Sequence, residues 1–296
     1  MRNRVSFAWV LLLLVGCSSA EEPSLTATTA TTAGSGGAGG SIGEGGSGCA
    51  INVADMIVES DDGVATRLHV PIEHEGTDAA LFFDTGSALS FFALGVDGAR
   101  YVPHAGDVAL GCDTVPMAGR AFDSFGMTGA LELVGILGAD YLLGGVSEID
   151  TAGAKLVRRA GALPPEQRAW PLQSYEDIQG HLITGVTLDG RAVRLMFDTG
   201  APHILWLGEE GQPGDQTVTT TDAVGNVLTL YLGEVALEMV GEPAETVPVL
   251  RAPSFPYFEQ TVKALGGNIH GLLGLSALRG RNLVVDPDGA TLRLAP

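Results

Sequence analysis

Two stretches of the chain place an aspartate in the same setting. Residues 81–92 read LFFDTGSALSFF, and residues 195–206 read LMFDTGAPHILW. In each, an apolar run ends on Asp-Thr-Gly and a second apolar run follows. Asp84 and Asp198 are thus expected at the ends of strands that their apolar neighbours bury. Two such carboxylates can activate water without a covalent nucleophile, because an ionised member takes a proton while a protonated member gives one. Held about 3 Å apart, two unit charges repel by roughly 5 kcal/mol at an effective dielectric of 20, or on the order of four pKa units. A pair of this kind is expected to share one proton. The two copies differ behind the glycine. Ser87 follows the first, and its hydroxyl can bond a carboxylate oxygen; Ala201 follows the second and cannot. Asp84 is therefore expected to be the favoured ionised member.

The surroundings of the tripeptides repeat as well. VGILGADYLLGGVSEIDTAGAKLVRRA (134–160) aligns without gaps on HGLLGLSALRGRNLVVDPDGATLRLAP (270–296), at an offset of 136 residues. The two Asp-Thr-Gly copies lie 114 residues apart, so the second half carries 22 more residues between its motifs. Each half opens with two strands around a turn, RLHVPIEHEGTDAALFFD and LITGVTLDGRAVRLMFD, with Asp189-Gly190 as a hairpin signal. Short strands and turns fill most of the rest. Helical patterning is confined to Phe255–Leu265 and the residues after each GxLG. The expected fold is mostly β, as two similar β-barrel-like lobes over 49–163 and 164–296 with few short helices. Pro164 and Pro165, in ALPPEQRAW, mark the joint.

The ends and the composition bound the setting. Arg2 and Arg4 precede an apolar run from Val5 to Gly16, of signal-peptide length and too short to span a bilayer. Residues 1–16 are read as a signal peptide. Residues 17–48 are read as a flexible tether of Ser, Thr, Ala and Gly, with nothing to bury. The formal charge is −19, or −21 without the two signal arginines. With no basic cluster, nucleic acid is excluded as an expected partner. Cys49 and Cys112 are either a disulfide suited to an exported protein or two buried thiols. The six histidines are scattered, and CxxC and HExxH do not occur, so neither a metal nor a cofactor is expected. His203 is read as a polar rim residue; Trp206 and Phe91 are read as core or cleft wall.

Two resemblances add to these readings. LVGC, ending at Cys17, resembles the lipobox of bacterial lipoproteins, which implies a lipid on Cys17 and a cell-envelope location. Ser18 after it implies sorting to the outer membrane. FFDTGS with Ile136, Leu137 and Gly138, and MFDTGA with Leu272, Leu273 and Gly274, resemble the paired motifs of the aspartic peptidase clan. The arrangement is similar to two retropepsin-like subunits in one pepsin-like chain, over about residues 60–296. The resemblance implies an acid-protease fold with pseudo-two-fold symmetry, acting as a monomer on an extended peptide or protein substrate. It implies catalytic roles for Asp84 and Asp198, and cross-bracing by Thr85 and Thr199. Gly86, Ser87, Gly200 and Ala201 complete the two loops. It also implies a β-hairpin flap. TVTTTDAVGNVLTLYL fits one, with Val224, Gly225 and Asn226 at the tip, and a first-half counterpart is expected around Met117–Gly119. A peptide-binding lipoprotein without turnover on the same fold, and a structural envelope protein, are the competing readings.

Overall fold

The computed structural model describes residues 49–295 except 62, 96, 123–125, 162 and 222–225. The signal segment, Cys17, the tether, Val224 and Gly225 lie outside the described residues.

The first run of strands comprises β1 (Ile51–Asp55), β2 (Ile57–Asp61), β3 (Val64–His74), β4 (Thr77–Phe83), β5 (Phe91–Ala93), β6 (Tyr101–Leu110), β7 (Asp113–Arg120), β8 (Met127–Thr128) and β9 (Leu131–Leu137). Helix α1 (Ala139–Leu143), β10 (Val146–Asp150), β11 (Lys155–Arg159) and the short helix α2 (Pro165–Arg168) follow. The second run holds β12 (Leu172–Ile178), β13 (His181–Leu188), β14 (Arg191–Phe197), β15 (Ile204–Leu207), β16 (Gln216–Thr221), β17 (Val227–Glu238) and β18 (Glu245–Ala252). Helix α3 (Pro256–Ala264), β19 (Gly271–Leu273), a 3-10 turn (Leu275–Leu278), β20 (Leu283–Asp286) and β21 (Thr291–Leu294) complete the elements.

The protein is mostly β, in two sheets. The order β2-β3-β4-β9-β5-β7-β6 runs through an eight-stranded sheet, with β8 beside β9. The order β1-β11-β10-β20-β21-β12-β13-β14-β19-β15-β18-β17-β16 runs through a thirteen-stranded one. The strands that end on the aspartates are apolar on both faces because each face has its own cover. In β4, Ala79, Leu81 and Phe83 join the large central core, while Ala80 and Phe82 join a smaller cluster with Phe91, Leu133 and Ile136. In β14, Val193, Leu195 and Phe197 join the central core, and Met196 packs with Leu205, Leu272 and the α3 residues Phe258 and Val262. Alternate side chains of a strand point to opposite faces, so a strand buried on both sides reads as a continuous apolar run.

Asp189-Gly190 forms the expected two-residue turn, with both residues at positive φ (47° and 77°) and Leu188 paired with Arg191. Cys49 and Cys112 form a disulfide that ties the chain ahead of β1 to the β6–β7 turn. That turn corrects the expectation for the first half: Met117–Gly119 is no hairpin tip but lies inside β7, between β5 and β6. Val115 and Met117 alternate into the central core, which fixes the segment as a buried strand. Among the described residues, β16 and α3 have no counterpart between β4 and β9, in keeping with the 22 extra residues of the second half.

Candidate active site

Each Asp-Thr-Gly follows directly on a strand that pairs in parallel with an apolar-apolar-Gly strand: β4 with β9 and β14 with β19. The Asp84 amide donates to the Leu137 carbonyl at 3.0 Å, and the Asp198 amide to that of Leu273 at 3.1 Å. A tight turn follows each, with Ser87 N–H to Asp84 O at 3.1 Å and Ala201 N–H to Asp198 O at 3.2 Å. The motif glycines are there because these loops nearly touch. A Cβ on Gly138 would stand 2.8 Å from Ser87 O, and one on Gly274 would stand 2.5 Å from Ala201 O.

The two loops are stitched together by their threonines. Thr85 Oγ1 donates to the Phe197 carbonyl at 3.1 Å and accepts the Thr199 amide at 3.0 Å. Thr199 Oγ1 donates to the Phe83 carbonyl at 2.8 Å and accepts the Thr85 amide at 3.1 Å. Every polar atom of this buried stitch is satisfied, which is the condition for a buried polar network to rigidify its surroundings.

The stitch sets the carboxyls side by side. Asp84 and Asp198 are 2% and 0% exposed. Asp84 Oδ1 accepts the Gly86 amide at 2.9 Å, and Asp198 Oδ1 accepts the Gly200 amide at 2.8 Å. A Cβ on Gly86 would lie 2.8–2.9 Å from the Asp198 carboxyl atoms, so the second aspartate rests on the glycine of the first loop. The two side chains are close enough for the charge of Asp198 to act on Asp84. Asp198 Oδ2 is buried without a partner among the described donors, so a proton on Asp84 is the natural donor to this carboxyl.

Burial, and then the Asp198 charge, push the Asp84 carboxyl well above the usual carboxylate range. Burial raises Asp198 to about 6. The pair is therefore set to hold one proton, as the like charges require, but the bond expected from the Ser87 hydroxyl is not made. The Ser87 hydroxyl donates to Leu89 O at 2.8 Å. Each carboxyl accepts one amide of its own loop, Gly86 for Asp84 and Gly200 for Asp198.

Ile136, Leu137, Leu272 and Leu273 are buried beside the two loops. Phe91 and Trp206 are core residues. His203 is half-buried, and burial lowers its pKa against an opposing pull from Asp61. β16 and β17 form an antiparallel hairpin whose last pair is Thr221 with Val227; of the three tip residues only Asn226 is among those described. Among the described residues, no three His, Cys, Asp or Glu side chains group as metal ligands.

Sequence reasoning passed over two residues beside the first loop. Asp140 accepts the Ser90 hydroxyl through Oδ1 at 2.6 Å and the Ser90 amide through Oδ2 at 2.9 Å. The signal was present in the repeat, where Ile204 and Ser276 stand at the matching positions. No protein-family model matches the chain, and no curated protein matches it significantly.

Proposed function

We propose that this protein is an aspartic-type endopeptidase, hydrolysing peptide bonds with a water activated between Asp84 and Asp198. The observation that carries the reading is the pairing of two buried carboxyls on reciprocally braced Asp-Thr-Gly loops, with both pKa values raised. In this reading the Asp198 carboxylate takes a proton from water as its oxygen attacks the carbonyl carbon, and protonated Asp84 gives its proton to the carbonyl oxygen. The resulting diol collapses as the proton on Asp198 passes to the amide nitrogen. The C–N bond breaks, and a diol hydroxyl returns a proton to Asp84. No covalent intermediate forms.

The same reading includes two lobes, 49–163 and 164–296, related by a pseudo-two-fold axis. The β10–β20 register supports it. Ser147 pairs with Val285 and Ile149 with Leu283. At the repeat offset, Ser147 matches Leu283 and Ile149 matches Val285, which is the reciprocity a two-fold contact requires. The threonine stitch has the same reciprocity. We also propose that residues 1–16 are a lipoprotein signal and that a lipid on Cys17 anchors the protein to the cell envelope; palmitate labelling lost in Cys17→Ser tests this.

Cleavage of a mixed peptide library, blocked by a hydroxyl-bearing transition-state mimic, is the test of activity. Asp84→Asn and Asp198→Asn are each expected to lower kcat by roughly 10³-fold or more, since neither carboxyl can replace the other's role. Full turnover in both variants would sink the dyad, and tight peptide binding without cleavage would favour a binding lipoprotein.

A further inference from the structure

The two loops share a backbone staple and differ in a side-chain one. In the first half Ala139 N–H donates to Ser87 O at 2.8 Å; in the second Leu275 N–H donates to Ala201 O at 2.8 Å. The first half adds a polar chain. The half-buried Asp140 holds both the hydroxyl and the amide of Ser90, and Ser90 Oγ in turn accepts the Gly138 amide at 2.9 Å. Ser90 is 1% exposed, so these bonds are shielded from competing water. In the second half, Ile204 has no hydroxyl to offer. Ser276 donates only its backbone N–H, to Pro202 O at 2.9 Å, and its buried Oγ has no partner among the described residues.

We infer that Asp140 is a positioning residue for Asp84, holding the Ser87–Ser90 turn so that the Gly86 amide just ahead of it stays directed at the Asp84 carboxyl. The inference rests on the dyad reading of Asp84 and Asp198, but its test does not need turnover. Both ends of the turn are pinned, Ser87 by the Ala139 amide and Ser90 by Asp140. Releasing the Ser90 end lets the turn relax and draws a donor away from Asp84. A carboxylate that loses a hydrogen-bond donor titrates higher. Asp198, whose carboxyl accepts the Gly200 amide of its own loop, moves less.

The experiment is a carboxyl-carbon NMR titration of Asp84 and Asp198 in the full chain, with peptide hydrolysis in parallel. In Asp140→Ala the Asp84 midpoint is expected to rise by about half a pH unit or more while that of Asp198 moves far less. Asp140→Asn, which keeps one acceptor, is expected to give a smaller rise. The kcat of Asp140→Ala is expected to fall about tenfold with KM little changed, as for a misplaced catalytic group. Ser90→Ala removes the hydroxyl between Asp140 and Gly138 and should move Asp84 in the same direction, which keeps the test open if Asp140→Ala does not fold. A lower Tm with both titrations unmoved would make Asp140 a structural brace and overturn the inference. A wild-type protein that titrates as described yet cleaves nothing would remove the peptidase reading and leave the positioning role standing.

Discussion

The loop around Asp84 and the loop around Asp198 are built on the same backbone bonds and anchored by different side chains. Each leaves a buried strand, turns at a glycine whose amide caps its own carboxylate, and passes its threonine to the other loop. Beyond the glycine they part. The first loop is tied by Ser87, Ser90 and Asp140; the second has Ala201, Ile204 and Ser276 there and relies on backbone contacts. The second half instead gains β16 and α3 over its outer apolar face. A repeated backbone can therefore present two equivalent carboxyls while their protonation is left to local amides and to the partner charge.

Substitutions can break this comparison or sharpen it. Gly86→Ala has the largest expected effect on turnover after the two Asn variants, because its Cβ would stand 2.8 Å from Asp198 Oδ2. A displaced carboxyl is expected to cost roughly 10²-fold in kcat, read by steady-state hydrolysis with folding checked by circular dichroism. Next comes Cys49→Ser, which opens a bridge spanning 63 residues. The loop-entropy model gives a loss of about 4 kcal/mol, measured by urea denaturation. Thr85→Val and Thr199→Val each remove a donor and an acceptor from the stitch, at about 2–4 kcal/mol. Their reciprocity predicts similar losses, and a strongly unequal pair would contradict it.

One substitution has the opposite sign. The folded Asp198 carboxyl titrates near 6, above the unfolded value of about 3.9. Between those values the native state binds more protons than the unfolded chain, so stability declines as pH rises through about 6. Asp198→Asn does not titrate. It is expected to be more stable than the wild type at pH 8, by up to about 3 kcal/mol, with the gap closing below pH 4. Denaturation at both pH values checks the sign.

Much of this was legible from local pattern. The apolar runs before Asp84 and Asp198 read as buried strands, the Asp189-Gly190 turn followed from its residue types, and Phe255–Leu265 contained α3. What was missed depends on contacts distant in sequence or on competing local bonds. The Ser87 hydroxyl had a nearby carboxylate and a nearby carbonyl to choose between, and it donates to Leu89 O. Pro165 opens the short helix α2 between β11 and β12, a position where its missing N–H costs nothing. The β10–β20 pairing joins residues more than 130 apart and leaves no signature in either strand alone.

The central claim, that one proton shared by Asp84 and Asp198 drives hydrolysis, is tested most directly by the pH–rate profile of peptide cleavage. The expected profile rises through about pH 6 as Asp198 ionises and falls at higher pH as Asp84 gives up its proton, and neither limb remains in the two Asn variants. A rate that ignores pH across this range, or is retained when either aspartate is replaced, would contradict it.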